Sequence, residues 1–162
     1  MSLDAPHLAG NVDATGLRIG IIASRFNADI TDALLAGALS ALKEHGAHDD
    51  DLHVLRVPGA LEIPTIASAL FYTGNFDALV CLGCVIKGDT AHFDHVCRVA
   101  MDSIGRMAET GELAISNGIL TVDTHAQAVE RIGGAHGHKG EEAALTAVEI
   151  ARMIEALESD VE

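Results

Sequence analysis

Aromatic side chains are scarce in this chain of 162 residues, which has four phenylalanines, one tyrosine and no tryptophan. Alanine, leucine, isoleucine and valine must therefore build the interior. Small and branched apolar residues of this kind suit helices that pack closely on a buried parallel sheet. An aromatic side chain away from a helix face, such as Phe26 between Arg25 and Asn27, needs a separate reason.

Positive charge is scarce as well. The chain has 10 lysines and arginines and 24 aspartates and glutamates, which gives a formal net charge of −14. This balance argues against a nucleic-acid partner and against binding to an anionic membrane surface, since both would be repelled. A phosphorylated ligand stays compatible with it. Such a ligand can bind only where local cations and backbone N–H groups outweigh the overall field.

The sequence also lacks features that would indicate secretion or a membrane location. The three cysteines, Cys81, Cys84 and Cys97, are an odd number, and we expect them to be reduced. No apolar run is long enough to cross a bilayer. The opening residues MSLDAPHLAGN lack the basic segment and long apolar stretch of a signal peptide. We therefore expect a soluble, cytoplasmic protein.

Apolar runs rich in β-branched residues alternate along the chain with runs that have helical spacing. This alternation predicts an α/β sandwich of three layers, a four-stranded parallel sheet with helices on both faces. We expect an N-terminal arm over residues 1–16 and a single domain over 17–162. The predicted strands are 17–24, 51–59, 77–86 and 113–120, and the predicted helices are 31–46, 60–75, 91–109, 124–134 and 139–158.

The last predicted helix is apolar over a wider arc than one sheet face can cover, which indicates that subunits pack against it. Its apolar residues are Ala143, Ala144, Leu145, Ala147, Val148, Ile150, Ala151, Ile154 and Leu157.

Unusual residues collect where the predicted strands end. Open parallel sheets bind ligands beyond the carboxyl ends of their strands, so this grouping predicts one site at that edge. The segments are SRFN (24–27), PGALE (58–62), GCVIKGDTAH (83–92) and Asn117 with TVDT (121–124).

The segment KGDTAHFDHVC, residues 87–97, carries the densest chemistry. Gly88, Asp89 and Thr90 join a strand to a helix, so their free backbone N–H groups and the helix dipole favour an anion there. Asp89 and Thr90 could instead simply cap the helix. His92 lies in the first helical turn, where the dipole disfavours a charged imidazole. A neutral imidazole beside an anion site is a candidate for proton transfer.

Other residues in and near these segments allow more than one interpretation. Cys81 and Cys84 lie three apart on a strand and face opposite sides, so we expect no metal site. Cys97 is predicted to be core and His95 structural. Arg131 and Lys139 either interact with helix ends or bind phosphate. Phe26 either packs in the core or offers a flat face on which a planar ligand ring can stack. Glu62 is either solvated or accepts hydrogen bonds from ligand N–H and hydroxyl groups.

Taken together, five segments resemble the 6,7-dimethyl-8-ribityllumazine synthase family of riboflavin biosynthesis, in order from about Gly16 to the last helix. The segments are GLRIGIIASRFNADIT, VPGALEIP, GCVIKGDTAHFDHV, NGILTVDTHAQAVERIG and HKGEEAALTAVEIA. The resemblance implies a flavodoxin-like fold and a transferase. It implies that 5-amino-6-(D-ribitylamino)uracil condenses with 3,4-dihydroxy-2-butanone 4-phosphate, with release of phosphate and water and without a cofactor or metal.

The resemblance also implies roles for particular residues. His92 would transfer protons, Phe26 would stack on the pyrimidinedione, and Asn117 would close the pocket from a neighbouring subunit. The remaining substrate-binding residues would be Ala60, Leu61, Glu62, Cys84, Val85 and Ile86, and the phosphate-binding residues would be Asp89, Thr90, Arg131 and Lys139. We expect the side chains of Phe26, His92 and Arg131 to surround one hollow once neighbouring copies are included.

The family assembles as pentamers, which in many members form hollow icosahedral shells, and riboflavin synthase is a further expected partner. Three positions depart from the usual pattern: Leu61 and Asn117 stand where aromatic residues are frequent, and Lys87 where arginine is usual. The departures at Leu61 and Asn117 keep a second interpretation open, a flavin- or pteridine-binding or shell-forming protein of the same fold without catalysis. A flavodoxin-like electron carrier fits less well, because the loop after the first strand lacks a Ser/Thr-rich phosphate signature.

Overall fold

Continuous apolar runs form the two central strands of a parallel sheet, as expected for strands covered on both faces. The computed structural model describes residues 10–161. Strand β1 spans Ile19–Ser24 and is buried throughout. The edge strand β2 spans Leu52–Val57, the central strand β3 spans Ala78–Ile86, and the second edge strand β4 spans Ala114–Val122. The strand order is β2-β1-β3-β4, and every pairing within this sheet is parallel.

Helices cover both faces of this sheet, and each face has its own apolar core. Helix α1 spans Ala28–Glu44, α2 spans Ile63–Thr73 and α3 spans His92–Ala108. The short helix α4 spans His125–Val129, and the long α5 spans Lys139–Ser159. One core joins α1 and α5 to the sheet, and the other joins α2 and α3 to it. The predicted three-layer α/β sandwich with a flavodoxin-like arrangement is therefore confirmed.

The prediction of one helix over 124–134 is wrong. Helix α4 ends at Val129, and a small antiparallel hairpin follows, with strands β5 at Ile132–Gly134 and β6 at Gly137–His138. Gly133 and Gly137 have φ of 106° and 74°. This left-handed region is open to glycine at little steric cost, so the glycines bend the chain back instead of merely ending a helix.

Other boundaries shift by a few residues for local reasons. Helix α1 begins three residues earlier than predicted, because Asn27 takes up a left-handed φ of 58° and turns the chain directly into the helix. The predicted helix 60–75 begins as a 3-10 turn at Ala60–Glu62 before α2 starts. Pro64 lies in the first turn of α2, where its missing N–H has no partner to lose.

The N-terminal arm was predicted over residues 1–16, and residues 1–9 of it lie outside the described residues. The described part contacts the sandwich: Ala14 is fully buried. From α5, the Arg152 guanidinium donates to the backbone carbonyls of Asp13 at 2.8 Å and Thr15 at 2.6 Å. The division into an arm and one domain stays a prediction.

Helix α5 buries only part of its apolar arc within one chain. Ala143, Ala147 and Val148 are buried against the first core, whereas Met153 and Leu157 are 53% and 65% exposed. Packing of subunits against this uncovered apolar surface stays a prediction. Within residues 10–161, no helix combines the length and apolar character needed to cross a membrane.

Helix α5 starts in direct backbone contact with α1. A Cβ atom added at Gly140 would lie 2.1 Å from the carbonyl oxygen of Leu34, whereas one added at Gly105, on the exposed face of α3, would meet nothing within 4 Å. Only glycine therefore lets α5 approach α1 this closely.

We predict that Gly140→Ala destabilises the protein by about 1–3 kcal/mol, because the two helices must separate. Gly105→Ala, the matched control, should stabilise it by about 0.5–1 kcal/mol, since alanine loses less backbone entropy in a helix. Denaturant unfolding at one fixed protein concentration measures both changes. Equal effects of the two substitutions would contradict the close contact.

Candidate functional site

The loop after β1 holds Phe26 in the open. Its ring is 72% exposed, while its backbone is fixed: the N–H of Arg25 donates to the carbonyl of Val57 at 2.8 Å, and that of Phe26 donates to the carbonyl of Pro58 at 3.1 Å. The Asn27 side-chain amide donates to the carbonyl of Cys84 at 2.9 Å. A large apolar ring held in solvent by a rigid backbone is not core packing. It is a preformed flat surface.

The turn after β2 brings a carboxylate to the same edge of the sheet. The Glu62 side chain accepts a hydrogen bond from the backbone N–H of Gly59 at 2.9 Å through one of its oxygens. Ala60 is buried beneath the turn, and Leu61 is 39% exposed. The hydrogen bond to Gly59 fixes the orientation of Glu62, so its other oxygen can accept hydrogen bonds from a ligand.

The turn between β3 and α3 presents backbone donors. Within residues 10–161, the N–H groups of Gly88, Asp89 and Thr90 have no hydrogen-bond acceptor. The N–H of His92, the first residue of α3, donates to the Thr90 hydroxyl oxygen at 3.3 Å. The hydroxyl hydrogen of Thr90 is left to donate elsewhere. Unused donors at the start of a long helix favour an anion at this turn.

These three turns enclose a cavity of about 350 Å³, which we call the first hollow. It contains most of the site residues named from the sequence. Those that line it are Phe26, Ala60, Leu61, Glu62, Cys84, Val85, Ile86, Thr90 and His92. The aromatic plate and the imidazole therefore share one cavity within a single chain.

Arg131 lines a different cavity, of about 400 Å³, which we call the second hollow. It is formed by the end of β4, the helix α4 and the side chains of Phe93 and Cys97 from α3. The Arg131 guanidinium donates to the carbonyl of Gln127 at 2.8 Å. Phe93 contributes to both hollows. Within one chain, Arg131 thus lines a different cavity from Phe26 and His92, and Phe93 is common to the two.

Three predicted site residues line neither hollow. Asp89 is exposed on the turn before α3. Lys139 forms an ion pair with Glu142 at 2.7 Å. Asn117 lies exposed in the edge strand β4 and is held at both ends: its amide nitrogen contacts the Met101 sulfur at 2.7 Å, and its oxygen accepts from the N–H of Ile119 at 3.0 Å.

Burial makes the thiols poor nucleophiles. It raises the pKa of Cys81 to about 12, and together with the nearby Asp29 carboxylate it raises the pKa of Cys84 to about 11. The pKa of Cys97 is raised as well, first by burial and then by Asp94. Cys97, predicted to be core, is only partly buried and lines the second hollow. Across residues 10–161, no three or more His, Cys, Asp or Glu side chains gather to hold a metal ion.

Asn27 and Phe93 also line the first hollow but were not among the site residues predicted from the sequence. Asn27 lies within the quoted SRFN segment, and its tolerance for the left-handed region, which asparagine adopts more readily than most residues, was an available signal. Phe93 looked like an ordinary helix residue. Its position between the two hollows depends on how α3 lies on the sheet, which local spacing does not give.

Comparison with known families adds an independent finding. The family model described as 6,7-dimethyl-8-ribityllumazine synthase matches residues 16–155 of this chain. The match spans both hollows and nearly the whole sandwich.

We predict that a thiol reagent at about pH 8 leaves Cys81 and Cys84 unmodified in the folded protein, because both side chains are buried, unlike that of Cys97, and their raised pKa values keep the thiols protonated. Cys97 alone should react, and Cys97→Ser should abolish labelling until the protein is unfolded. Mass spectrometry of the labelled chain gives the count. Rapid modification of Cys84 in the folded protein would contradict its buried environment.

Proposed function

Since the chain belongs to the 6,7-dimethyl-8-ribityllumazine synthase family, whose members are transferases of riboflavin biosynthesis, we propose that it condenses 5-amino-6-(D-ribitylamino)uracil with 3,4-dihydroxy-2-butanone 4-phosphate. The observation that carries the proposal is the first hollow, where the exposed Phe26 ring and His92 share one cavity beside unused backbone donors. The reaction needs a flat platform, a proton carrier and an anion site, and these three features supply them.

The uracil ring would stack on Phe26, with its polar edge against the backbone of Cys84, Val85 and Ile86. This assignment is supported by the rigid support of Phe26 and by the end of β3 in the cavity wall. The ribityl chain would extend towards Ala60, Leu61 and Glu62. A carboxylate oxygen suits the hydroxyl hydrogens of that chain. Leu61, where an aromatic residue is frequent, would pack against the chain without stacking.

The phosphate of the second substrate would bind at the Gly88–Thr90 turn, with Asp89 contributing through its backbone. The start of α3 supports this assignment, because helix N-termini attract anions. A cation is also needed in a protein of net charge −14. Arg131 matches phosphate geometry through its planar donors, and Lys139 would assist it.

The separation of Arg131 from the first hollow favours a site shared between copies. The second hollow of one subunit would face the first hollow of its neighbour, and Asn117 on the exposed edge strand would close the same pocket. The uncovered apolar side chains Met153 and Leu157 support a homo-oligomer. The pentamer and the shell built from pentamers are proposals of this kind, as is riboflavin synthase as a partner.

His92 would move the protons that the condensation requires. The amino group of the uracil attacks the ketone carbonyl and water leaves as the imine forms. A proton is then removed from the hydroxyl-bearing carbon as phosphate departs from the neighbouring carbon, and the enol that forms becomes a new ketone. The ribitylamino nitrogen attacks this ketone, and a second water leaves as the ring closes. A neutral imidazole at the start of α3 can accept and return these protons. The rest of the rate enhancement comes from holding both substrates in position.

The decisive test mixes purified protein with both substrates and follows lumazine fluorescence. We expect product from the wild type and a turnover lower by about 10²–10⁴-fold for His92→Ala, the usual contribution of a proton-transfer group. His48→Ala, in which an exposed histidine outside both hollows is lost, should keep full activity. Unchanged turnover in His92→Ala would remove its assigned role. Tight flavin binding without any lumazine would favour the non-catalytic reading.

Arg131→Ala should raise the KM for the phosphorylated substrate by about 10-fold or more, because a charge-assisted contact worth about 1.5–3 kcal/mol is lost. The KM for ribitylaminouracil should change little. Arg106→Ala, which removes an exposed arginine in the last turn of α3, serves as the matched control. Steady-state kinetics with each substrate varied in turn separates the effects. Equal changes in both KM values would argue against a phosphate contact.

A further inference from the structure

His138 occupies the junction between the hairpin and α5. It is the last residue of β6 and the residue that caps α5, and its ring nitrogen Nδ1 accepts a hydrogen bond from the N–H of Glu141 at 3.3 Å. A nitrogen that accepts this bond carries no proton. The cap therefore requires the neutral imidazole, with its hydrogen on Nε2.

The same junction joins the two cations assigned to phosphate. Arg131 precedes the hairpin and Lys139 follows it, and the N–H of Lys139 donates to the carbonyl of Arg131 at 2.8 Å. His138 stands directly opposite Ile132 across the hairpin. The backbone position of both cations thus depends on the hairpin and on the first turn of α5, which His138 connects.

The imidazole is also pressed against α1. A Cβ atom added at Gly37 would lie 2.0 Å from Cε1 of His138, so the ring lies directly on the helix backbone. His138 itself is half-buried. Because the ring is packed against α1, it cannot simply rotate into solvent when the hydrogen bond from Glu141 is lost.

The charges around the ring are those of the hairpin and the first turn of α5. Lys139 is paired with Glu142, Glu141 supplies the capped N–H, and Glu130 lies 3.6 Å from His136. Strand β5 carries no ionisable residue, and α1 carries none between Asp32 and Lys43. A protonated ring could no longer accept the hydrogen bond from Glu141 and would place a positive charge at a helix N-terminus, where it is disfavoured.

We propose that His138 is a positioning residue that, in its neutral form, fixes Arg131 and Lys139 at the phosphate end of the site, so that affinity for the phosphorylated substrate falls when the ring is protonated. This inference rests on the proposed function for its substrate. Histidine side chains titrate between about pH 5 and 8. The test therefore compares a neutral with a mildly acidic buffer.

Two substitutions separate the cap from the charge. His138→Asn keeps a neutral acceptor at every pH, since asparagine is among the best helix caps, whereas His138→Ala removes the acceptor altogether. The phosphate ester itself takes up a proton near pH 6. Comparison with His138→Asn cancels that effect, because both proteins receive the same substrate.

The KM for the phosphorylated substrate is measured at about pH 7.5 and about pH 5.5. We expect the KM of the wild type divided by the KM of His138→Asn to be near one at the higher pH. At the lower pH this ratio should be about three to ten, the size expected for loss of a cap. His138→Ala should show a raised KM at both pH values. For the KM of ribitylaminouracil and for kcat, the ratio of the wild-type value to the His138→Asn value should be the same at both pH values.

Calorimetric titration with inorganic phosphate gives a second readout that does not need turnover. A wild type that makes no lumazine, yet loses phosphate affinity relative to His138→Asn at low pH, would contradict the proposed reaction and support the role of His138. A ratio that is constant with pH in the titration would overturn that role whether or not lumazine forms. If His138→Ala does not fold, the wild type and His138→Asn alone decide the matter.

Discussion

Hydrogen bonds between the turns at the carboxyl edge of the sheet hold the whole site in place. The loop after β1 is bonded to the end of β2 through Arg25 and Phe26, and to β3 through the Asn27 amide. The end of β3 is bonded in turn to β4, where the N–H of Lys87 donates to the carbonyl of Val122 at 2.9 Å. Four strands therefore share one rigid rim. Preorganisation of this kind allows an exposed ring to bind a ligand without a large ordering cost.

Charge imposes the second condition on this protein. A chain with a net charge of −14 repels a phosphorylated molecule. Solvent ions largely screen this repulsion at distances beyond about 10 Å. Under the proposed function, oriented N–H groups at the start of α3 and the Arg131 guanidinium of a neighbouring subunit would act on the phosphate over a few ångströms. The local field can then prevail over the overall charge. Phosphate binding by Arg131 would then depend on whatever fixes the hairpin that follows it.

The sequence predicted most of the scaffold, because apolar period and glycine stops are local signals. Strand β1 and helices α3 and α5 were placed within one or two residues. The prediction of one helix over 124–134 failed, because a capping box at Thr124 is equally compatible with five helical residues or with ten. What ends α4 early is the hairpin, which packs on α1 through His138 and Gly37. A contact about a hundred residues distant along the chain leaves no trace in local spacing.

By itself the sequence determined which residue types lie beyond the strand ends, because parallel strands all point their carboxyl ends to one edge. It thereby named Phe26, Glu62, Thr90 and His92 as neighbours, and they line one cavity. Only the tertiary structure decided that Phe26 is exposed and that Arg131 lines a separate hollow. Those outcomes depend on how α3 and the hairpin pack against the sheet. Packing is a property of surfaces that meet in space, and residue spacing along the chain does not encode it directly.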